Sequence, residues 1–183
     1  MKKIKILFLL ILHISCNYSD KDLIQKAKEI HQKVTILDTH DDIDVNNFTS
    51  EKNYSQNLNT KVNIPKMEHG GMDVAWFVVY TGQGELSKEG YKKAAINATE
   101  KFDAIKRLVS EYAPEKISLA TNSNQVDSIM KMGKKVAMIG VENAYPIGED
   151  LHEIKRYAKL GARYMSLAHN GHNQFLTRIL ESL

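Results

Sequence analysis

The segment 72–80, M-D-V-A-W-F-V-V-Y, constrains the fold of this chain more than any other stretch. It is the most continuous apolar run after the N-terminal segment, and its β-branched and aromatic residues favour a strand. Apolar and polar residues do not alternate within it, which indicates that both faces of the strand are covered. Strands of that kind belong to parallel sheets with helices packed on both sides. The sequence therefore predicts an α/β fold.

Helix and strand patterns alternate along the chain on either side of this run. Apolar residues from Tyr91 to Tyr112 keep the i, i+3, i+4 spacing of one long helix, and Pro114 ends it. Further helices are predicted over 20–31, 123–132 and 151–160, and further strands over 34–37, 117–120, 136–141 and 164–168. Strands that alternate with helices pair in parallel through helical crossovers, and we expect such a sheet in one compact domain.

The segment V-T-I-L-D-T-H-D-D, residues 34–42, has an apolar half and a polar half. The residues that suit a buried strand are Val34, Ile36 and Leu37. His40 and Asp42 lie two positions apart, so on an extended chain their side chains leave the same face. An imidazole nitrogen and a carboxylate oxygen form half of a metal site, for which zinc is the usual occupant. The alternative is an acidic loop that follows a strand.

Glu142 and His169 occupy positions equivalent to that of His40. Glu142 follows the predicted strand 136–141, and His169 follows the predicted strand 164–168. The carboxyl ends of parallel strands meet at one edge of the sheet, where barrel enzymes carry their chemistry. We therefore expect the three side chains to lie near one another, which distinguishes a site from scattered polar residues.

The first sixteen residues have the features of a signal peptide. Lysines near the N-terminus precede the apolar stretch Ile6–Leu12, which is too short to span a bilayer as a helix. Ser15 precedes Cys16 as in bacterial lipoprotein signals, although His13 stands where such signals usually carry leucine. We predict a signal peptide over 1–16 with lipidation at Cys16, followed by a tether over 17–22. Plain secretion is the alternative, and both place the mature chain in the cell envelope or outside the cell.

Composition narrows the classes of function. The chain has 25 Lys+Arg and 22 Asp+Glu, a net charge of +3 with interspersed signs, so it offers no basic stripe for nucleic acid. Cys16 is the single cysteine, which excludes a disulfide framework and a cysteine-based zinc site. The sequence does not set the oligomeric state, and it is compatible with a homodimer.

A long polar segment and three histidines are not assigned to the predicted metal site. The long polar segment 43–60 is either a lid or wall of a functional site, or a disordered insertion. The histidines expected to be structural or surface residues are His69, His152 and His172.

Four motifs together resemble the membrane (renal-type) dipeptidase family of zinc peptidases. D-T-H-D-D at 38–42 is similar to the family's first metal motif, D-G-H-N-D, and L-G-A-R-Y-M-S-L-A-H-N at 160–170 is similar to L-G-x-R-Y-x-x-L-T-H-N. The segments 62–80 and 139–144 resemble the family's second-strand segment and the segment of its bridging glutamate. The four motifs follow the family's order over nearly all of residues 34–173.

The resemblance implies a (β/α)₈ barrel of the TIM type with two zinc ions. His40 and Asp42 would hold one zinc, and Glu142 would bridge both. His169 would stabilise the oxyanion that develops on the substrate carbonyl. The implied activity is hydrolysis of dipeptides by a metal-activated hydroxide, often with tolerance of a D-residue at the second position.

The chain departs from the family in sequence and in length. Thr39 and Asp41 replace the usual Gly and Asn, so that Asp41 would add a negative charge beside the zinc, and Ala168 replaces a frequent Thr. The family continues for about as many residues again and takes two further histidines and an acidic partner from that half. We expect residues 23–183 to be the N-terminal part of the barrel, from a truncated or frame-shifted gene or a fragment.

Two other functions stay open at this point. One is a non-catalytic envelope lipoprotein that keeps part of the barrel as a binding or structural module. The other is a different metallohydrolase of the same barrel type, active on cyclic amides or esters. Metal dependence and substrate class would distinguish the three hypotheses.

Overall fold

The computed structural model of the chain describes residues 19–176. These residues belong to two compact units that divide after Val34. The predicted signal peptide, its lipidation residue Cys16 and the first two residues of the predicted tether lie outside the described part. No helix within 19–176 combines the length and the apolar composition that a membrane span requires.

The first unit contributes one described helix, α1 (Asp20–His31). The Asp22 backbone N–H donates to the Ser19 hydroxyl at 3.2 Å, and the Ser19 backbone N–H donates to the Asp22 carboxylate at 3.1 Å. This reciprocal capping satisfies two backbone donors at the start of the helix. The predicted helix is confirmed, and residues 20–22 of the predicted tether form its first turn.

The second unit contains a sheet in which every strand pair is parallel. Its strands are β1 (Leu37–Asp42), β2 (Val74–Tyr80), β3 (Ile117–Leu119), β4 (Lys135–Glu142) and β5 (Ala162–Met165). Its helices are α2 (Ile64–Gly70), α3 (Lys88–Arg107), α4 (Ser123–Lys131) and α5 (His152–Lys159). Strands and helices alternate from β2 onward, so the predicted parallel α/β fold is confirmed.

The strand order is β1-β2-β4-β3, and β5 also pairs with β4. β3 pairs with the first residues of β4, from Lys135 to Ala137, and β5 pairs further along, from Ile139 to Val141. The chain thus passes β4 on its way from β2 to β3 and then returns to it. Right-handed crossovers that run in opposite directions place their helices on opposite faces of a sheet.

Helices accordingly cover both faces. On the face that we call the α3 face, Phe77 of β2 and Ile139 of β4 pack with Ile105 of α3 and Tyr157 of α5. This cluster contains most of the large buried side chains among the described residues. It is the main hydrophobic core.

The opposite face, which we call the α4 face, carries a smaller cluster. Val74 of β2 and Val136 and Met138 of β4 pack there against Ile129 of α4. Successive strand residues point to opposite faces, so Glu142 at the end of β4 shares the α4 face with Met138.

The first strand differs from its prediction. β1 begins at Leu37 and includes His40 and Asp42, whereas the sequence predicted an apolar strand that stops before them. The expected burial of Val34 and Leu37 is wrong, because the two side chains are 49% and 51% exposed. Among the described strands, β1 pairs only with β2. Leu37 therefore lies on a strand that has one described neighbour, and Val34 lies before that strand begins.

The long polar segment after β1 is folded, which rules out the disordered insertion. Phe48 and Tyr54 are buried with their ring centroids 4.5 Å apart, and Tyr54 packs edge-on against Phe77 at 5.9 Å. The Tyr112 hydroxyl donates to the Phe48 carbonyl at 3.2 Å. The aromatic residues of this segment are therefore part of the main core.

Candidate metal centre

Three side chains with metal-ligand chemistry meet at the carboxyl end of the sheet. His40 Nε2 lies 3.2 Å from Glu142 Oε2 and 3.9 Å from Asp42 Oδ1. One ligand atom from each residue lies within 4.8 Å of the others. One imidazole nitrogen and two carboxylate oxygens form a donor set that suits zinc and similar divalent cations.

A β-bulge in β1 precedes this cluster. Asp38 pairs with Ala75 of β2 and Asp41 pairs with Phe77, so β1 has two residues where β2 has one. The two residues without a pairing partner in this ladder are Thr39 and His40. The Asp38 carboxylate accepts a hydrogen bond from the His40 backbone N–H at 3.0 Å, which braces the bulge locally.

The bulge decides which of two adjacent aspartates faces the cluster. Asp41 pairs with Phe77 and points to the α3 face, whereas Asp42 pairs with Val78 and points to the α4 face. With Thr39 present and no bulge, the register would shift by one residue and the two aspartates would exchange faces. The bulge therefore directs Asp42 towards Glu142.

Asp41 occupies an apolar environment as a result. Its residue is 6% exposed, and its Oδ2 atom has no hydrogen-bond partner among the described residues. Burial, and next the negative charge of Asp38, raise the pKa of Asp41 to about 7. The expectation that Asp41 adds a negative charge beside the metal is wrong, because the bulge directs its carboxyl group into the main core.

His169 contacts the other side of the same glutamate. His169 Nδ1 lies 2.6 Å from Glu142 Oε1, so the two carboxylate oxygens face two different histidines. The His169 ring also meets the Tyr80 ring edge-on at 5.1 Å. Lys101 of α3 donates to the Tyr80 carbonyl at 2.7 Å, which fixes the end of β2 beneath this contact.

Asn143 joins the strand ends around Glu142. It is fully buried and has φ of +75°, a conformation that Asn tolerates better than most residues. Its side-chain Nδ2 donates to the Thr81 carbonyl after β2 at 3.0 Å, and its backbone N–H donates to Ser166 Oγ after β5 at 2.9 Å. Its Oδ1 accepts from Asn173 Nδ2 at 3.1 Å. Sequence reasoning missed this residue, because an Asn after a strand gives no signal of the partners that it will have.

Three further histidines of the described residues lie outside the cluster. His69 at the end of α2, His152 at the start of α5 and His172 in the last described loop are all exposed. The predictions that His152 is a surface residue and His172 a loop residue are confirmed, whereas His69, which was expected to be structural, is exposed. Two clefts of about 470 and 660 Å³ lie beside the first turns of α3, and none of the four site residues lines them.

Parallel strands that present imidazole and carboxylate groups at their carboxyl ends are typical of α/β metallohydrolases. The family model for membrane dipeptidase (peptidase family M19) matches residues 24–182. The chain belongs to this family, which confirms the resemblance seen in its motifs.

Named relatives agree with this assignment. The dipeptidase ataJ of Aspergillus terreus is 24% identical over 163 residues, which cover 82% of this chain and 39% of that protein. An uncharacterized dipeptidase of Schizosaccharomyces pombe is 25% identical over 169 residues, 84% of this chain and 40% of that protein. The chain thus spans about two fifths of the length of these relatives.

Solved structures show the same fold. The probable dipeptidase PvdM from Pseudomonas aeruginosa aligns with a TM-score of 0.77 at 17% identity, over 85% of this chain and 40% of that chain. A metallopeptidase from Rhodobacter sphaeroides, liganded with a phosphinate mimic of L-Ala-D-Ala, aligns with a TM-score of 0.58 at 16% identity, over 74% of this chain and 45% of that chain. The described strands therefore form part of the predicted barrel-type fold.

Proposed function

We propose that this chain carries the first half of a zinc-dependent dipeptidase site, with His40, Asp42 and Glu142 as metal ligands. The observation that carries the proposal is the convergence of their ligand atoms within 4.8 Å, at the edge of the sheet where this fold places its chemistry. Membership in the membrane dipeptidase family supplies the reaction class.

The proposal of two cations comes from the family resemblance, with Glu142 as the residue between them. Glu142 directs Oε2 to His40 and Oε1 to His169, so its two oxygens face separate neighbours. A carboxylate of this form can serve as a bridging ligand between two ions. His40 and Asp42 would hold the first ion together with Glu142.

The bound ions would polarise the peptide carbonyl and activate water for attack. His169 would donate a hydrogen bond to the oxygen on which negative charge develops. The Nδ1 contact with Glu142 and the ring contact with Tyr80 orient the His169 side chain. The proposed substrates are dipeptides, including those with a D-residue at the second position.

Metal binding by the purified chain tests this proposal most directly. We expect His40→Ala and Asp42→Ala each to weaken zinc binding by about 100-fold or more, because each removes one of three protein ligands. His152→Ala is the matched control, since His152 is exposed and lies outside the cluster. The measurement is zinc competition against a chromophoric chelator, and equal affinity of all four proteins would refute the ligand assignment.

A non-catalytic binding module is the second candidate. The observation in its favour is the openness of the cluster, since the His40 and Asp42 side chains are 47% and 71% exposed. Hydrolysis of L-Ala-D-Ala that disappears with zinc removal supports the peptidase, whereas zinc-independent behaviour supports the module. Activity on cyclic amides or esters without dipeptide hydrolysis would identify a different metallohydrolase.

We also propose an envelope location through lipid on Cys16. The basis is the sequence alone: a basic start, a short apolar core and Ser15 before the cysteine. Cys16→Ala should move the protein from the membrane fraction to the soluble fraction of the producing cells. An unchanged distribution would contradict a lipid anchor.

A further inference from the structure

The bulge in β1 leaves a backbone carbonyl that a distant side chain satisfies. Thr39 lies outside the ladder between β1 and β2. The hydroxyl of Tyr164, which belongs to β5, donates to the Thr39 carbonyl at 3.2 Å. β1 and β5 do not pair with each other, and β2 and β4 lie between them. The Tyr164 side chain therefore crosses the α4 face of the sheet beneath the metal cluster.

The α4 face has room for this ring because of one glycine. Gly140 pairs with Tyr164 in the ladder, and a Cβ atom at Gly140 would overlap the Tyr164 ring. The centroid of the Trp76 ring lies 5.2 Å from that of the Tyr164 ring, and the two ring planes make an angle of 31°. Gly140 and Trp76 thus fix the direction of the ring, so its hydroxyl reaches the Thr39 carbonyl.

We propose that Tyr164 is a positioning residue for the metal centre. Its hydroxyl holds the Thr39 carbonyl in the bulged conformation, and the bulge directs His40 and Asp42 towards Glu142. The contact through which it would act is the hydrogen bond to Thr39, so its effect on the ligands would pass through β1. This inference rests on the proposed function for its consequence on metal binding, but the effect on β1 does not depend on a metal.

The variant Tyr164→Phe distinguishes the effect of the hydroxyl group from the effect of the ring. The variant keeps the packing against Gly140 and Trp76 and removes only the donor to Thr39. Because partners of this kind typically change metal affinity by 10- to 100-fold, we expect zinc to bind about tenfold more weakly. We also expect the backbone amides of residues 39–42 to exchange with solvent several-fold faster in the metal-free protein.

Tyr157→Phe is the matched control. The Tyr157 hydroxyl is buried and has no hydrogen-bond partner in the described part of the chain, and its ring packs against Phe102 at 5.0 Å on the α3 face. The same chemical change there should alter neither zinc affinity nor exchange in residues 39–42. Any general effect of losing a tyrosine hydroxyl would appear in both variants, so the difference between them reports the bond to Thr39.

The experiment measures amide exchange in the metal-free proteins first and zinc affinity second. Faster exchange in residues 39–42 of Tyr164→Phe, with the Tyr157→Phe control unchanged, supports the positioning role. Exchange that matches the parent protein overturns it. Failure of the parent protein to bind zinc would count against the proposed function, and the exchange result would still decide the role of Tyr164.

Discussion

Two neighbouring residues of identical chemistry have opposite environments in β1. The Asp42 side chain is mostly exposed beside His40, while Asp41 lies in the main core. Burial, and next the negative charge of Asp41, raise the pKa of Tyr54 to about 12. A carboxyl group in this position is favoured in its neutral form.

The stability of the protein should depend on pH through Asp41. Its pKa is about 7 in the folded chain and 3.8 when unperturbed, so the folded state holds this proton more tightly. The resulting stabilisation is complete below about pH 4 and is lost as the pH rises to about 7. We expect the metal-free protein to lose about 1–2 kcal/mol over this interval, allowing for solvent screening of the carboxyl group.

Asp41→Asn should remove this loss, because the amide stays neutral at every pH. Asp127→Asn, the same change at an exposed position of α4, is the control and should keep the slope of the parent protein. Urea unfolding between pH 4 and 8 in the presence of a chelator measures the effect. If the unfolding free energy of Asp41→Asn fell with pH as steeply as that of the control, another group would be responsible for the pH dependence.

The types of the site residues could be predicted from sequence, but not all of their surroundings. His40 and Glu142 could be found because they lie in the last residues of β1 and β4, and His169 because it lies in the loop that follows β5. The opposite directions of Asp41 and Asp42 could not, since they depend on one unpaired residue in the register with β2. The role proposed for Tyr164 depends in the same way on a contact between strands that are distant in sequence.

In the loop after β4, Asn143 has a strained backbone conformation and also makes several hydrogen bonds. Asn143 combines a left-handed conformation with hydrogen bonds to three other segments of the chain. Asn143→Gly removes the side-chain bonds without strain, whereas Asn143→Ala removes them and adds strain. We expect losses in unfolding free energy of about 2 kcal/mol for Gly and about 3 kcal/mol for Ala.

The variant Gly133→Ala measures the cost of a left-handed backbone conformation by itself. Gly133 has φ of +75° like Asn143, and an added Cβ would meet no atom within 4 Å. This variant should lose about 1 kcal/mol, the difference expected between the two Asn143 variants. Chemical denaturation of the three variants provides the comparison, and equal losses for Asn143→Gly and Asn143→Ala would mean that the loop relaxes its conformation.

Element types could be predicted better than element boundaries. The continuous apolar run gave β2 within one or two residues, because burial on both faces leaves a clear pattern. The long helix starts earlier than its apolar repeat, since the Ser87 hydroxyl accepts from the Gly90 N–H at 3.1 Å and caps it. Its last turn, Leu108–Tyr112, is a π-helix that periodicity does not distinguish from an α-helix.

The two faces of the sheet contribute unequally to the stability of the whole unit. Ile105 of α3 is fully buried in the main core, and Ile129 of α4 is 6% exposed in the smaller cluster. We expect Ile105→Ala to cost about 4 kcal/mol and Ile129→Ala about 2 kcal/mol, because a larger cluster relaxes less around a cavity. Urea denaturation measures both, and a larger loss at Ile129 would contradict this division of the core.

The bulge also makes β1 tolerant of a change in length. If Thr39 were deleted while Asp38 stayed opposite Ala75, an unbroken ladder would place His40 opposite Trp76 and Asp42 opposite Val78. Both ligands would then remain on the α4 face. Removal of this one residue would therefore leave the direction of both ligands unchanged, whereas an unbroken ladder that keeps Thr39 would turn Asp42 to the α3 face.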